Sequence, residues 1–359
     1  MSFIYKLSIT VIFGLIVPAF HFPELYTCPP CGQECDTLEF TSSGKCHYCG
    51  MELEVRPETG KIKLEEGSGK FIISDDRDST KTIQVYYHMP ESYNENSEIV
   101  MVIPGAGRNA DDYRDAWIQI SEKYDVLVLS PSFSERDYNF EAYHLGGLIH
   151  SSNLMDNVEY IDGTNKAKLN EQNYRYKISN SPDQWIYPQF DRIFELVKNE
   201  LKSNRETYDL FGHSAGGHIL HRMGLFYSSE KVGRILASNA SFYTLPSMHF
   251  NYPFGIGNLS DTSINLEAAF RNKLIVFLGE EDNADETRGT FLISKSADRQ
   301  GAHRLERGRF FYQFSEKIAS DSKLEFNWQI VTVPGIGHNY RKMSDAASQY
   351  LYNRSNTKQ

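Results

Sequence analysis

No cysteine occurs after position 49 in this chain of 359 residues, and all five lie between positions 28 and 49. A disulfide framework across the whole protein is therefore excluded. The break in composition sets a small N-terminal module apart from the rest. Long basic runs are also missing. Lys and Arg number 37 against 47 Asp and Glu, for a net charge of −10. That balance argues against nucleic acid or an anionic lipid surface as partner. No internal repeat is visible. The apolar run Leu7–Phe20 has 14 residues, fewer than the ~18–20 that cross a bilayer as a helix. What the chain does have is an ordinary globular composition, 40% hydrophobic and 23% charged, with 22 Tyr, 22 Phe and 3 Trp. Such a chain can bury a large core, so wholesale disorder is excluded.

Lys6 precedes the apolar run, and Val17-Pro18-Ala19 resembles a small-residue cleavage site. Residues 1–19 are read as a secretory signal peptide, with an uncleaved anchor as the alternative. No lipobox-like small residues precede Cys28, which speaks against lipoprotein attachment. The expected location is outside the cytoplasm: periplasm, cell surface or medium. No membrane span is expected after cleavage. The polar residues 354–359 are read as a frayed tail.

The cysteines read Cys28-Pro29-Pro30-Cys31 and Cys46-His47-Tyr48-Cys49. Two Cys-x-x-Cys knuckles bring four sulfurs to one point, as a structural Zn²⁺ requires. Cys28, Cys31, Cys46 and Cys49 are the expected ligands of a ribbon over residues 24–55. Cys35 is left over, and His47 is an alternative ligand. Metal sensing or delivery is a second reading, and disulfides formed in an oxidising compartment are a third. Residues 56–70 lack periodicity and read as a linker. The stretches Tyr26-Thr27-Cys28-Pro29 and Gly44-Lys45-Cys46-His47-Tyr48-Cys49-Gly50-Met51-Glu52-Leu53 resemble the short heavy-metal-binding module of bacterial envelope proteins. That family usually carries Pro-Lys between its last two cysteines, where this chain has His47-Tyr48.

From Phe71 to Asn353, short apolar runs alternate with amphipathic segments. Strands are expected at 83–87, 99–103, 126–130, 208–211, 234–237, 274–278 and 328–333. Helices are expected at 111–123, 183–202, 216–227, 304–319 and 344–352. Buried runs alternating with helices predict an α/β fold, a mostly parallel sheet covered on both faces. Ligands on such sheets bind at the carboxyl ends of the strands. Residues 134–182 form a long polar insertion, read as a lid or pocket wall.

Directly after the 208–211 strand stands Gly212-His213-Ser214-Ala215-Gly216-Gly217. This is Gly-x-Ser-x-Gly between a strand and a helix, a turn that pushes the serine hydroxyl out above the sheet. Asp282 follows the 274–278 strand, and His338 follows the 328–333 strand. The order serine, acid, histidine assigns Ser214 as nucleophile, His338 as base and Asp282 as its orienting acid. Asp285 is the alternative acid. Oxyanion donors are expected from the Ala215 N–H and from Pro104-Gly105-Ala106-Gly107, with Ala106 chosen. His218 and His221 lie three apart on one helix, and packing is preferred to metal binding for them. Packing is also preferred for His213, while Phe242 and Tyr243 are candidate pocket or core residues.

The stretches 104–109, 211–217 and 333–338 resemble the α/β-hydrolases, most closely secreted esterases and polyhydroxyalkanoate-depolymerase-like members. Many members carry His-Gly at the oxyanion loop, where this chain has Pro104-Gly105. The resemblance implies an α/β-hydrolase fold behind the small cysteine ribbon. With the triad and the signal peptide it gives an exported serine hydrolase cleaving carboxylic esters, with no cofactor for catalysis; a small ester or an ester of a polymer, a polysaccharide or a polyester, suits such an enzyme on its expected location alone, since the resemblance names no substrate. A peptidase or thioesterase using the same triad is the rival. A metal-handling or binding protein on an inactive scaffold is a second rival, from another class.

Overall fold

Ile99-Val100-Met101-Val102-Ile103 is apolar without alternation, and all five residues are buried. A strand whose two faces are both apolar needs a cover on each side. In the computed structural model, Ile99, Met101 and Ile103 enter one core and Val100 and Val102 another. The structure describes residues 25–28, 35, 38–55, 62–179, 182–259 and 264–353. The expected signal peptide and tail lie outside the described residues. Among those described, no helix is long and apolar enough to cross a membrane.

The chain divides into two units, residues 1–58 and 59–359. In the first unit, Tyr26–Thr27 pairs antiparallel with both Glu39–Phe40 and Glu54–Val55.

The second unit is built on eight strands: β1 (Gly67–Ser74), β2 (Thr82–Met89), β3 (Glu98–Ile103), β4 (Val126–Ser132), β5 (Tyr208–His213), β6 (Val232–Ser238), β7 (Lys273–Gly279) and β8 (Gln329–Val333). Their order is β8-β7-β6-β5-β3-β4-β2-β1. β1 and β2 join antiparallel at one edge, and β3 to β8 run parallel. The larger core packs Phe190, Ile193, Phe194 and Val197 of helix Tyr187–Leu201 against one face. On the other face lie Trp117, Ile120, Met343, Ala347 and Leu351.

Several boundaries differ from the sequence reading. β1 starts at Gly67, inside the segment read as linker, because pairing with β2 recruits residues that have no periodicity of their own. The 111–123 helix is two helices, Ala110–Asp115 and Ile118–Tyr124. The joint between them turns Trp117 fully into the core. The last helix begins at Tyr340, where the Asn339 side chain accepts the Lys342 N–H.

The 134–182 insertion carries short strands. Val158–Tyr160 pairs antiparallel with Lys166–Leu169, which runs parallel to Phe291–Ile293. The Asn165 amide adds a bond to the Gly289 carbonyl at 3.1 Å. The insertion is thereby stitched to the segment that follows Asp282.

Candidate active site and cysteine cluster

The strand β5 ends at His213, and the next residue breaks the backbone pattern. Ser214 adopts φ 60° and ψ −111°, a conformation L-residues avoid. Its N–H donates to the Ser238 carbonyl at 2.9 Å, and its own carbonyl accepts from the His218 N–H at 3.0 Å. The strained residue is thus held between β6 and the helix Ala215–Phe226. Side chains at Gly216 and Gly217 would run into the carbonyls of Ile103 and Ser238. Glycine there lets the helix sit directly on β3 and β6. Ala215 is the first residue of that helix, so its N–H has no carbonyl one turn earlier to bond.

The loop after β3 lies beside this turn. A Cβ on Gly105 would stand 3.6 Å from the Ser214 Cβ. Ala106 and Gly107 are exposed. The Tyr143 hydroxyl donates to the Pro104 carbonyl at 2.7 Å and ties the loop to the insertion.

His338 follows β8, and Asp282 follows β7. His338 Nδ1 lies 2.7 Å from Asp282 Oδ2. The same oxygen accepts from Asn239 Nδ2 at 2.6 Å, and the other oxygen accepts from Arg304 Nη1 at 3.0 Å. Burial pushes the Asp282 carboxyl up. The His338 hydrogen bond, the Arg304 charge and Asn239 outweigh it and hold the group below the usual carboxylate range. Burial pulls the His338 imidazole down and Arg304 adds to that. The Asp282 carboxylate pulls the other way, and the net direction is downward. A lowered histidine stays neutral at physiological pH, the state in which it can take a proton.

Glu286 was not singled out in the sequence, yet it accepts the His338 backbone N–H at 2.6 Å. Asp285, the alternative acid, is exposed, as are Glu280 and Glu281. Asn239 was also missed, although it stands directly after the β6 strand, where the strand-end rule points. Arg304 carries no such signal: it lies 22 positions after Asp282, at the start of another helix.

His218 and His221, for which packing was expected, hydrogen-bond backbone groups. His221 Nδ1 lies 2.9 Å from the Gly217 carbonyl, and its Nε2 accepts from the Thr244 N–H at 3.0 Å. His218 Nε2 accepts from the Ser241 N–H at 2.9 Å. Both brace the loop after β6. The His213 ring lies 4.4 Å from the His338 ring. Phe242 packs on Phe254, and Tyr243 stacks on Phe311 at 4.7 Å.

In the N-terminal unit, the sulfurs of Cys28, Cys35, Cys46 and Cys49 all lie within 4.8 Å of one another. Cys35 stands in this cluster, which corrects the reading that left it over. Spacing alone does not specify that place. Cys31, named as a ligand from the sequence, lies outside the described residues. His47 is exposed and stands outside the cluster. A tetrahedral ion with Zn–S of ~2.3 Å puts its sulfurs about 3.8 Å apart, so the donor set fits a thiolate metal site. The Cys28–Cys49 contact of 3.1 Å is a hydrogen bond, not the ~2.05 Å of a disulfide. Burial and the neighbouring sulfurs push the Cys28 thiol up, while the hydrogen bond shared with Cys28 pulls Cys49 down to about 6.

A parallel sheet entered through an antiparallel edge, a serine on a strained turn after its fifth strand, and an acid–histidine pair after its last two place the chain in the α/β-hydrolase superfamily. Among solved structures it is similar to poly(aspartic acid) hydrolase-1 from Sphingomonas sp. KT-1. The two share 29% identity over 80% of this chain and 98% of that one, with a TM-score of 0.65. It is similar also to LpqC, the poly(3-hydroxybutyrate) depolymerase of Bordetella parapertussis, at 26% identity over 80% and 90% of the two chains and a TM-score of 0.65. No protein-family model matches the chain, and neither does any curated protein.

Proposed function

We propose that this chain is an exported serine hydrolase that cleaves carboxylic esters through Ser214, His338 and Asp282. The Asp282–His338 bond of 2.7 Å at the strand ends, in the superfamily of the fold, carries the reading. Ser214 Oγ attacks the ester carbonyl carbon while His338 takes the hydroxyl proton. The oxyanion accepts hydrogen bonds from the N–H groups of Ala215 and Ala106. Collapse expels the alcohol, which receives the proton from His338, and leaves an acyl-serine. Water then adds, His338 takes its proton, and the carboxylic acid departs as Ser214 regains its own. Asp282 holds the imidazole tautomer and stabilises the imidazolium.

The exported location rests on the Leu7–Phe20 run. A polymeric ester substrate is supported by the similarity to a poly(3-hydroxybutyrate) depolymerase. Amide cleavage by the same triad is the second reading, favoured by the similarity to a poly(aspartic acid) hydrolase. In the N-terminal unit, Cys28, Cys35, Cys46 and Cys49 would hold a Zn²⁺ whose role is to fold the ribbon.

The test compares the full chain with Ser214→Ala on short- and long-chain p-nitrophenyl esters and on the matching amides. Ester turnover that falls at least 10³-fold in the variant is expected, since the residual rate rests on the oxyanion donors and binding alone. Equal rates in both proteins refute the assignment. Faster amide than ester turnover favours the second reading.

A further inference from the structure

Arg304 is 2% exposed and occupies the first turn of helix Arg304–Asp321. A buried cation at a helix N-terminus is doubly unfavourable, through desolvation and through the helix dipole. Its surroundings explain why it is there. Nη1 donates to Asp282 Oδ1 at 3.0 Å. Nη2 donates to the carbonyls of Gly289 and Thr290 at 2.8 and 2.9 Å. The next residue, Leu305, donates its N–H to the Asp282 carbonyl at 3.1 Å. The guanidinium therefore spans the acid and the loop that packs on His338. A planar fork with two separated donors can do this, and an ammonium cannot hold both ends at once.

We propose that Arg304 is a positioning residue of the triad, which locks the Asp282 carboxylate toward His338 and fixes the loop at Gly289 over the imidazole. With Oδ1 taken by Arg304 and Oδ2 shared by Asn239 and His338, the carboxylate has one orientation. The inference rests on the triad reading for its effect on turnover, but the contacts stand independently of it. The charged and titratable groups that face His338 are Asp282, Glu286 and Arg288 from the segment after β7, Arg304 from its helix, and His213 from the β5 turn. Arg304 and Arg288 oppose an imidazolium; the two carboxylates favour it.

The experiment titrates His338 by ¹⁵N-histidine NMR in the full chain, with the resonance assigned from His338→Gln. The wild type is compared with Arg304→Met and Arg304→Lys, and kcat and KM on a short ester are measured alongside. In Arg304→Met the His338 midpoint is expected to rise by about one pH unit, as loss of a buried neighbouring charge gives. Its kcat is expected to fall about 10- to 100-fold with KM little changed. Arg304→Lys keeps the wild-type midpoint while losing part of kcat. A folded Arg304→Met whose His338 titrates as in the wild type overturns the assignment. If that variant does not fold, Arg304→Lys decides: kcat lowered with KM unchanged supports the assignment, because the ammonium cannot hold Asp282 and the Gly289 loop at once, and an unchanged kcat overturns it. Failure of the triad reading shows separately, as a wild type that turns over no ester whatever its His338 midpoint.

Discussion

Gly289 presses on the imidazole that the proposed chemistry uses, and replacing it by alanine tests that contact. The residue has φ +65°, and a Cβ there would lie 2.5 Å from His338 Nε2. Two costs follow. An L-residue in the left-handed region costs ~1–2 kcal/mol. The methyl must also gain about 1 Å to reach ordinary contact distance, ~3.5 Å. Either His338 or the loop held by Arg304 has to move by that amount. A misplacement of about 1 Å in a catalytic group costs on the order of 10²-fold in rate, equivalent to ~2.7 kcal/mol of transition-state stabilisation. Gly289→Ala is therefore expected to lower kcat/KM for a short p-nitrophenyl ester about 100-fold and to lower the melting temperature by about 2–4 °C. Gly163→Ala supplies the control. Its φ is +70°, and a Cβ there meets nothing within 4 Å, so it carries the strain without the collision. It should lose comparable stability and keep full activity. If Gly289→Ala keeps kcat/KM within twofold of the wild type, or if Gly163→Ala loses as much activity, the collision argument is wrong.

The cysteine cluster predicts that the N-terminal unit takes up one Co²⁺ with the absorption of tetrahedral thiolate ligation, and that Cys35→Ser weakens both the spectrum and the affinity. An unchanged Co²⁺ spectrum in Cys35→Ser would remove Cys35 from the ligand set. Glu286 makes an acid-stability prediction. Burial pushes its carboxyl up, but its bonds to Arg288 and to the His338 N–H hold it down at about 2, below the ordinary 4.5. A group depressed in the folded state stabilises above its unfolded value and loses that contribution as pH falls through the folded one. The melting-temperature gap between wild type and Glu286→Gln should be largest above pH 4.5 and close toward pH 2. A gap that stays constant from pH 7 to 2 would contradict this.

Much of the site was legible because strand ends are legible. The runs 99–103 and 274–278 are apolar on both faces, which marks buried parallel strands, while 208–211 is buried around Asp209 and 328–333, with Gln329 and Thr332, is the half-buried edge strand. Ligand-facing residues are expected directly after them, and the candidates Ser214, Asp282 and His338 were singled out in that way. Boundaries were less legible where a neighbour supplies the order. β1 extends back to Gly67 through pairing with β2, and the helix near Trp117 breaks so that the indole can reach the core.

By itself the sequence determined the alternation of strands and helices, the turn at Ser214 with its required glycines, and the gathering of cysteine into one short module. These are local properties, written in spacing and residue type. Which acid faces His338 was decided by tertiary structure, because only Asp282 of the acidic loop is turned inward to meet Asn239 and Arg304. The place of Cys35 among the sulfurs, the bond from Glu286 to the His338 backbone and the span of Arg304 from Asp282 to Gly289 were decided there too. The Glu286 and Arg304 contacts join separate loops, and they exist only after the sheet has brought those loops to the same end, whereas the Cys35 contact belongs to the N-terminal unit's own fold.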